Sequence, residues 1–170
     1  MAAHNDKWKE LVYLSLGSNL GNEIKKLELA RELIEKDIGK IKLASSIYKT
    51  EPWGQKNLKP FYNQVIGVAS TLLAVEIFEK TQYIELQLGR QAKKSVEYEN
   101  RLIDIDLLII GSIIMRSNIL ILPHPRMHLR NFVLVPFTEI APNLLHPELH
   151  RSIKDLNNYC SDDNKIKRIE

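Results

Sequence analysis

The chain has 170 residues, 44% of them hydrophobic and 26% charged, with a formal net charge of +3 and one cysteine, Cys160. This is the composition of an ordinary globular protein with one sizeable core, and the scattered basic residues lack the stripe that marks a nucleic-acid binder. A lone cysteine excludes an internal disulfide and a cysteine-based metal site, and the longest apolar run, residues 107–115, is too short to span a bilayer. The polar N-terminus has no apolar signal core, so the expectation is a single cytoplasmic domain over 1–170, with its core at about 11–160 and no membrane or nucleic-acid partner.

Residues 11–16 read as a first strand, broken by Gly17-Ser18-Asn19-Leu20-Gly21. A helix follows, with Asn22 as its cap, Glu23 in its first turn and Gly39 closing it. Residues 41–48 alternate like a strand, and 50–60 form a loop holding Pro52, Trp53, Gly54, Asn57 and Pro60. A strand over 62–71 leads to a helix over 73–88 that ends at Gly89. Residues 91–100 form a polar loop. Strands are predicted over 101–110 and 113–122, a loop over 123–131, and helices over 132–140 and 152–160. The basic tail, Lys165-Ile166-Lys167-Arg168, reads as a solvated terminus. The order β-α-β-β-α-β predicts a ferredoxin-like α+β sandwich, with two helices on one face of a mainly antiparallel sheet and a C-terminal helical appendage. The other face and the loops are then open to a ligand.

The most informative segment is Arg101-Leu102-Ile103-Asp104-Ile105-Asp106-Leu107-Leu108. Residues two apart on a strand share a face, so Asp104 and Asp106 stand side by side, roughly 6.5–7 Å apart along the backbone. Two carboxylates among apolar neighbours repel and lose hydration unless a cation compensates. Oxygen ligands from only two carboxylates suit magnesium carried in by nucleotide phosphates. A solvated strand face, with Ile103, Ile105 and Leu107 turned to the core, fits the same alternation. By parity Arg101 falls on the opposite face unless it lies at the strand's mouth.

Neither a P-loop nor a dinucleotide fingerprint occurs. The two glycines at 17 and 21 read best as a strand-to-helix turn, so a nucleotide has to be held by side chains, chiefly arginine and histidine. Gln82 and Glu85 share a helical stripe, and Arg90 follows Gly89. Arg126 and Arg130 lie in the loop with His124 and His128, and arginine's rigid fork matches phosphate oxygens. His124/His128 and His146/His150 are spaced four apart, but Pro125 and Pro147 push the first of each pair out of helical conformation. Zinc is therefore not expected; His124 suits a phosphate donor, and His146 and His150 read as surface or turn residues.

Four stretches then carry a family resemblance: Leu16-Gly17-Ser18-Asn19-Leu20-Gly21; Gln82-Tyr83-Ile84-Glu85 with Gly89-Arg90; the segment from Arg101 to Leu108; and Pro123-His124-Pro125-Arg126 through Arg130-Asn131-Phe132 to Pro142. In that order they resemble the 6-hydroxymethyl-7,8-dihydropterin pyrophosphokinases of folate biosynthesis. The resemblance implies transfer of pyrophosphate from ATP to the pterin hydroxymethyl oxygen, with release of AMP. It implies two magnesium ions on Asp104 and Asp106, and catalytic charge neutralisation by Arg90 and Arg101. It places Gln82, Glu85, Tyr98, His124 and Arg130 at ATP, and Thr50, Trp53, Phe61, Asn63 and Phe132 around the pterin. It also implies a monomer whose loops 50–60 and 91–100 close over ATP. The sequence departs from the family pattern at Glu99-Asn100, at Pro125, and at Ile119 and Ile121, where members carry basic and hydroxyl residues. A nucleic-acid module of the same fold would show stacking aromatics on its central strands, and a regulatory domain would not need Asp104, Asp106 and Arg90 together.

Overall fold

The structure is a computed structural model that describes residues 11–52, 58–90 and 100–169. Strand β1 (Leu11–Ser18) leads through Gly21, whose φ of 86° suits glycine, into helix α1 (Glu23–Asp37). The Asn22 side chain caps α1 by accepting from the Lys25 amide at 3.1 Å. Strands β2 (Lys40–Ala44) and β3 (Ile47–Thr50) both lie beside β4 (Phe61–Ala69). They replace the single strand predicted over 41–48. The break is Ser45-Ser46: the Ser45 hydroxyl accepts the Val65 amide at 3.0 Å, competing with the regular ladder as short polar side chains do.

Helix α2 (Ala74–Gln87) returns the chain to β5 (Asp104–Ile110). The predicted strand over 113–122 is instead a small hairpin of β6 (Met115–Arg116) and β7 (Ile121–Leu122), turned at Ser117, whose hydroxyl accepts the Ile119 and Leu120 amides. A 3-10 turn (Met127–Leu129), α3 (Asn131–Ile140) and α4 (Ile153–Asn158) follow. The basic tail is not a solvated terminus. Ile166–Ile169 forms β8, which pairs antiparallel with β3 through Thr50↔Ile166 and Ile47↔Ile169. Ile166 and Ile169 are half-buried while Lys167 and Arg168 between them are exposed, and such charges suit a strand at the sheet edge.

The sheet runs β5-β1-β4-β3-β8, with β2 also paired to β4, and every pairing is antiparallel. This is the ferredoxin-like α+β arrangement. Leu14, Leu16, Ile66, Ile105 and Leu107 bury one face of the sheet against Leu27, Ile34, Ile77 and Ile84 of α1 and α2. The second face is not left open along its length. Tyr13, Val65, Leu108 and Ile109 pack there against Val133, Leu134 and Phe137 of α3 and Ile153 and Leu156 of α4. A register shift between Tyr13 and Leu14 lets both Leu108 and Ile109 join this second core. Among the described residues, the end of this face nearest Gly17 and Asp104 carries the polar side chains Thr50, Asn63, Asp104 and Asp106. Among the described residues no helix is long and apolar enough to cross a membrane.

Candidate active site

The strand register sets out the site. Across the ladder, Asp104 stands opposite Gly17, Gly17 opposite Asn63, and Asn63 opposite Tyr48; two pairs along, Asp106 stands opposite Ser15. Because side chains alternate, Asp104, Asp106, Gly17, Asn63, Phe61 and Thr50 share the second face. Ile105 and Leu107 are buried on the first. The carboxylate pair therefore faces a half-covered recess beneath the start of α3, not open solvent: the side chains are 25% and 34% exposed.

Cations converge on this pair. Arg90 Nη1 lies 3.0 Å from Asp104 Oδ1, and Arg101 Nη1 lies 2.7 Å from Asp104 Oδ2. Arg101 reaches it because β5 begins only at Asp104, so Arg101 sits at the strand's mouth and escapes the parity that would turn it away. Arg130 Nη1 is 3.5 Å and His124 Nε2 3.8 Å from Asp106 Oδ2. Burial and the neighbouring Asp104 charge push the Asp106 carboxyl above the usual range, although Arg130, Arg101 and Arg90 oppose this.

Glu85, buried on α2, accepts the Ile105 amide at 2.7 Å and pairs with Arg90. It thereby pins α2 to the strand between the two aspartates. Burial, then the Asp104 charge, raise its carboxyl to about 7. Burial alone would lower the Arg90 guanidinium, but the Asp104 and Glu85 carboxylates outweigh it and raise it. Arg90 is therefore a locked site cation and not merely a charge at a helix end. Gln82, one turn earlier, is exposed.

His124 is held by its own amide, which donates to Leu108 O at 2.8 Å, and its Nδ1 accepts the Arg126 amide at 3.2 Å. With Nδ1 an acceptor, the ring proton sits on Nε2, aimed toward Asp106. Burial, followed by Arg130 and Arg126, lowers the imidazole to about 4. It is a neutral donor at physiological pH. Of the surface or turn roles expected for His146 it takes the turn: it is 3% exposed, and its Nδ1 accepts the Glu148 and Leu149 amides.

On the other side of Gly17, the Asn63 amide donates to Thr50 Oγ1 at 2.7 Å, and both residues are buried. Phe61 and Phe132 are half-buried at the starts of β4 and α3. The Arg130 guanidinium lies 5.5 Å from the Phe132 ring centroid, so one residue pair at the start of α3 serves both ends of the recess. Ile119 and Ile121 are 66% and 39% exposed on and beside the β6–β7 hairpin. Trp53 and Tyr98, and most of the two loops in which they lie, fall outside the described residues.

Two site residues were not singled out as such by the sequence reading. Gly17, expected in a strand-to-helix turn, is a strand residue whose missing side chain leaves room: a Cβ there would lie 2.9 Å from Asn63 Oδ1 and 3.8 Å from Phe61. Asn19, fully buried, receives the Arg101 amide at 2.6 Å and donates to Lys59 O and Asn100 Oδ1. It ties the exits of both loops to the end of β1. The clue in the sequence was a polar residue between two glycines directly after an apolar strand.

The residues fit a divalent cation. The donors are two carboxylates on one strand face, and one of them is held above the usual range by burial and its neighbour's charge. Among the described residues no group of three or more histidine, cysteine, aspartate or glutamate side chains forms a protein cage. Such a pair suits an ion that takes its remaining ligands from phosphate and water.

The family model for 7,8-dihydro-6-hydroxymethylpterin-pyrophosphokinase matches residues 13–142. The chain is 43% identical over 140 residues to the 2-amino-4-hydroxy-6-hydroxymethyldihydropteridine pyrophosphokinase of Porphyromonas gingivalis, covering 81% of this chain and 95% of that one. It is 35% identical over 144 residues to the protein of the same description from Aquifex aeolicus, covering 85% and 88%. Among solved structures, the Plasmodium falciparum HPPK-DHPS wild type with pteroate superposes with a TM-score of 0.73 at 17% identity. That match covers 88% of this chain and 44% of the larger one, and it bears on the fold alone. With its carboxylate pair, its converging arginines and this likeness along most of its length, the chain belongs to the 7,8-dihydro-6-hydroxymethylpterin pyrophosphokinase family.

Proposed function

We propose that this pterin pyrophosphokinase works with ATP on one side of Gly17 and the pterin ring on the other. The observation that carries this reading is the row Asp104–Gly17–Asn63 across three adjacent strands. It sets a cation-binding group and a donor–acceptor amide on one face, two strand spacings or about 10 Å apart. That span suits a pterin bound at Asn63 whose hydroxymethyl arm reaches a phosphate above Asp104.

Asn63, held by Thr50, reads the polar edge of the ring, and Phe61 and Phe132 cover its faces, with Trp53 completing the pocket. Asp104 and Asp106 would hold two magnesium ions, which would supply Lewis-acid neutralisation of phosphate charge, while the substrate's hydroxymethyl oxygen attacks the β-phosphorus and AMP leaves. Arg90 and Arg101 place fixed positive charge beside the transferred group. His124 donates Nε2–H, and Arg130 a guanidinium fork, to phosphate oxygens. Gln82, Glu85 and Tyr98 complete the ATP contacts, Glu85 acting also through its hold on Arg90. The enzyme acts as a cytoplasmic monomer on these two small molecules.

The test is direct. Protein, ATP, magnesium and 6-hydroxymethyl-7,8-dihydropterin are incubated and the nucleotide product is identified. AMP is expected, with turnover that requires magnesium and is lost in Asp104→Ala and Asp106→Ala. ADP as the sole nucleotide product overturns the pyrophosphoryl step, and full turnover in both variants overturns the metal assignment.

A further inference from the structure

The residues after α4 lie beyond the stretch 13–142 that the family model matches, yet they are built into the active-site end of the molecule. Asp162 Oδ2 accepts the Asn131 amide at 2.9 Å, at the first residue of α3. The Asn131 side chain in turn donates to the carbonyls of Asp162 at 3.1 Å and Asn164 at 2.7 Å. Asp162 Oδ1 accepts the Asn164 amide at 3.2 Å, so both carboxylate oxygens are engaged.

The chain then crosses to the sheet. Lys165 and Glu51 are linked in both directions: the Glu51 amide donates to Lys165 O at 3.1 Å, and the Lys165 amide to Glu51 Oε2 at 3.4 Å. From there Ile166 pairs with Thr50. Five residues, Asp162 to Ile166, thus join the start of α3 to the end of β3. Asn131 stands in sequence between Arg130 and Phe132, and Glu51 follows Thr50.

We propose that this C-terminal segment is a brace that sets the gap between the two walls of the pterin pocket, with Asp162 as its positioning residue. The proposal rests on the assignment of Thr50, Phe61 and Asn63 to one wall and Phe132 to the other. A flat ring stacked between two walls needs a gap of about 7 Å, and an error of 0.5–1 Å on one side forfeits roughly a quarter to a half of the dispersion energy there. α3 has no cap of its own: its N-cap residue, Arg130, makes no side-chain capping bond. The Asp162 carboxylate supplies that cap from outside, where a negative charge also suits the helix dipole. Without it the first turn of α3 loses its cap and keeps only the bonds of the Asn131 side chain to the Asp162 and Asn164 carbonyls, so that a shift of the turn carries Phe132 with it.

The experiment compares Asp162→Ala, Asp162→Asn and Phe132→Ala in the full chain. It measures KM for pterin and for ATP, kcat and melting temperature. Asp162→Ala should raise the pterin KM about tenfold while kcat and the ATP KM stay within about twofold, a loss of uniform binding to one substrate. Asp162→Asn keeps an acceptor oxygen and should restore most of that affinity. If pterin affinity falls in Phe132→Ala and not in Asp162→Ala, whatever happens to melting temperature, the brace is refuted and the pocket stands. If it falls in Asp162→Ala and recovers in Asp162→Asn while Phe132→Ala binds normally, Phe132 is not a wall of the pocket, and the brace, which acts through it, is refuted. Loss in neither variant refutes both.

Discussion

Gly17 and Asn63 face each other across the β1–β4 ladder, so closely that a single methyl group on Gly17 would lie 2.9 Å from the Asn63 side-chain oxygen. The backbone of Gly17 is ordinary strand, so what matters is the space a hydrogen leaves. Gly17→Ala should displace Asn63 from its bond to Thr50, a loss of about 1–3 kcal/mol at a buried polar pair. The pterin KM should rise about tenfold or more, with the ATP KM little changed. A normal pterin KM in a folded Gly17→Ala protein would remove Gly17 from the floor of the pocket.

The aspartate pair offers a test in which function and stability part company. Burial and the Asp104 charge raise the Asp106 carboxyl. A group whose folded-state value is raised contributes stability at low pH and loses it as pH rises, so ionised Asp106 costs stability at neutral pH. Asp106→Asn should melt at the same or a higher temperature than the wild type without ligands. Turnover should fall about 10³-fold, the loss of a group that holds catalytic cations. Calorimetry and the AMP assay check both; a marked fall in melting temperature would show that the carboxylate stabilises the unliganded protein.

Much of this could be read from the sequence, for reasons that particular residues make plain. The alternation from Ile103 to Leu107 gave both the strand and the shared face of Asp104 and Asp106, because a period of two survives in any sheet context. Arg101 could be placed only conditionally, since one residue's difference in where β5 starts decides its face. Residues 41–48 alternate well and 113–122 are mostly apolar, yet Ser45 and Ser117 divert backbone hydrogen bonds to their hydroxyls: Ser45 takes the amide of Val65, distant in sequence, and Ser117 closes a local turn on Leu120. β8 was hidden because a basic tail looks solvated until β3 offers it an edge. Gly17 shows the same limit, since its close neighbour Asn63 is 46 positions away in the chain.

Glu85 predicts a pH dependence. Its carboxyl lies at about 7 in the folded protein against an ordinary value of 4.5. The folded state therefore binds more protons than the unfolded state across that window, so stability should fall as pH rises from 4.5 to 7. Glu85→Gln removes the titration and leaves an oxygen for the Ile105 amide. Denaturant unfolding without ligands should show the wild type losing up to about 3 kcal/mol relative to Glu85→Gln over this range. A difference that stays constant with pH would mean that Glu85 is ionised throughout.

His124 makes the opposite case, a titratable group that should not titrate where the enzyme works. Burial and the guanidiniums of Arg130 and Arg126 hold it at about 4. The bond from the Arg126 amide to Nδ1 leaves the proton on Nε2. Between about pH 5.5 and 8 the ring is a constant neutral donor, so kcat/KM for ATP should show no ionisation there that is abolished by replacing His124. His124→Gln can present an N–H in a similar place and should keep more ATP affinity than His124→Leu, which also leaves Asp106 with one partner fewer. Equal ATP affinity in the two variants would show that the imidazole gives no hydrogen bond to the nucleotide. An ionisation near pH 6 that disappears with His124 would show that the ring is charged in the free enzyme and acts as a cation.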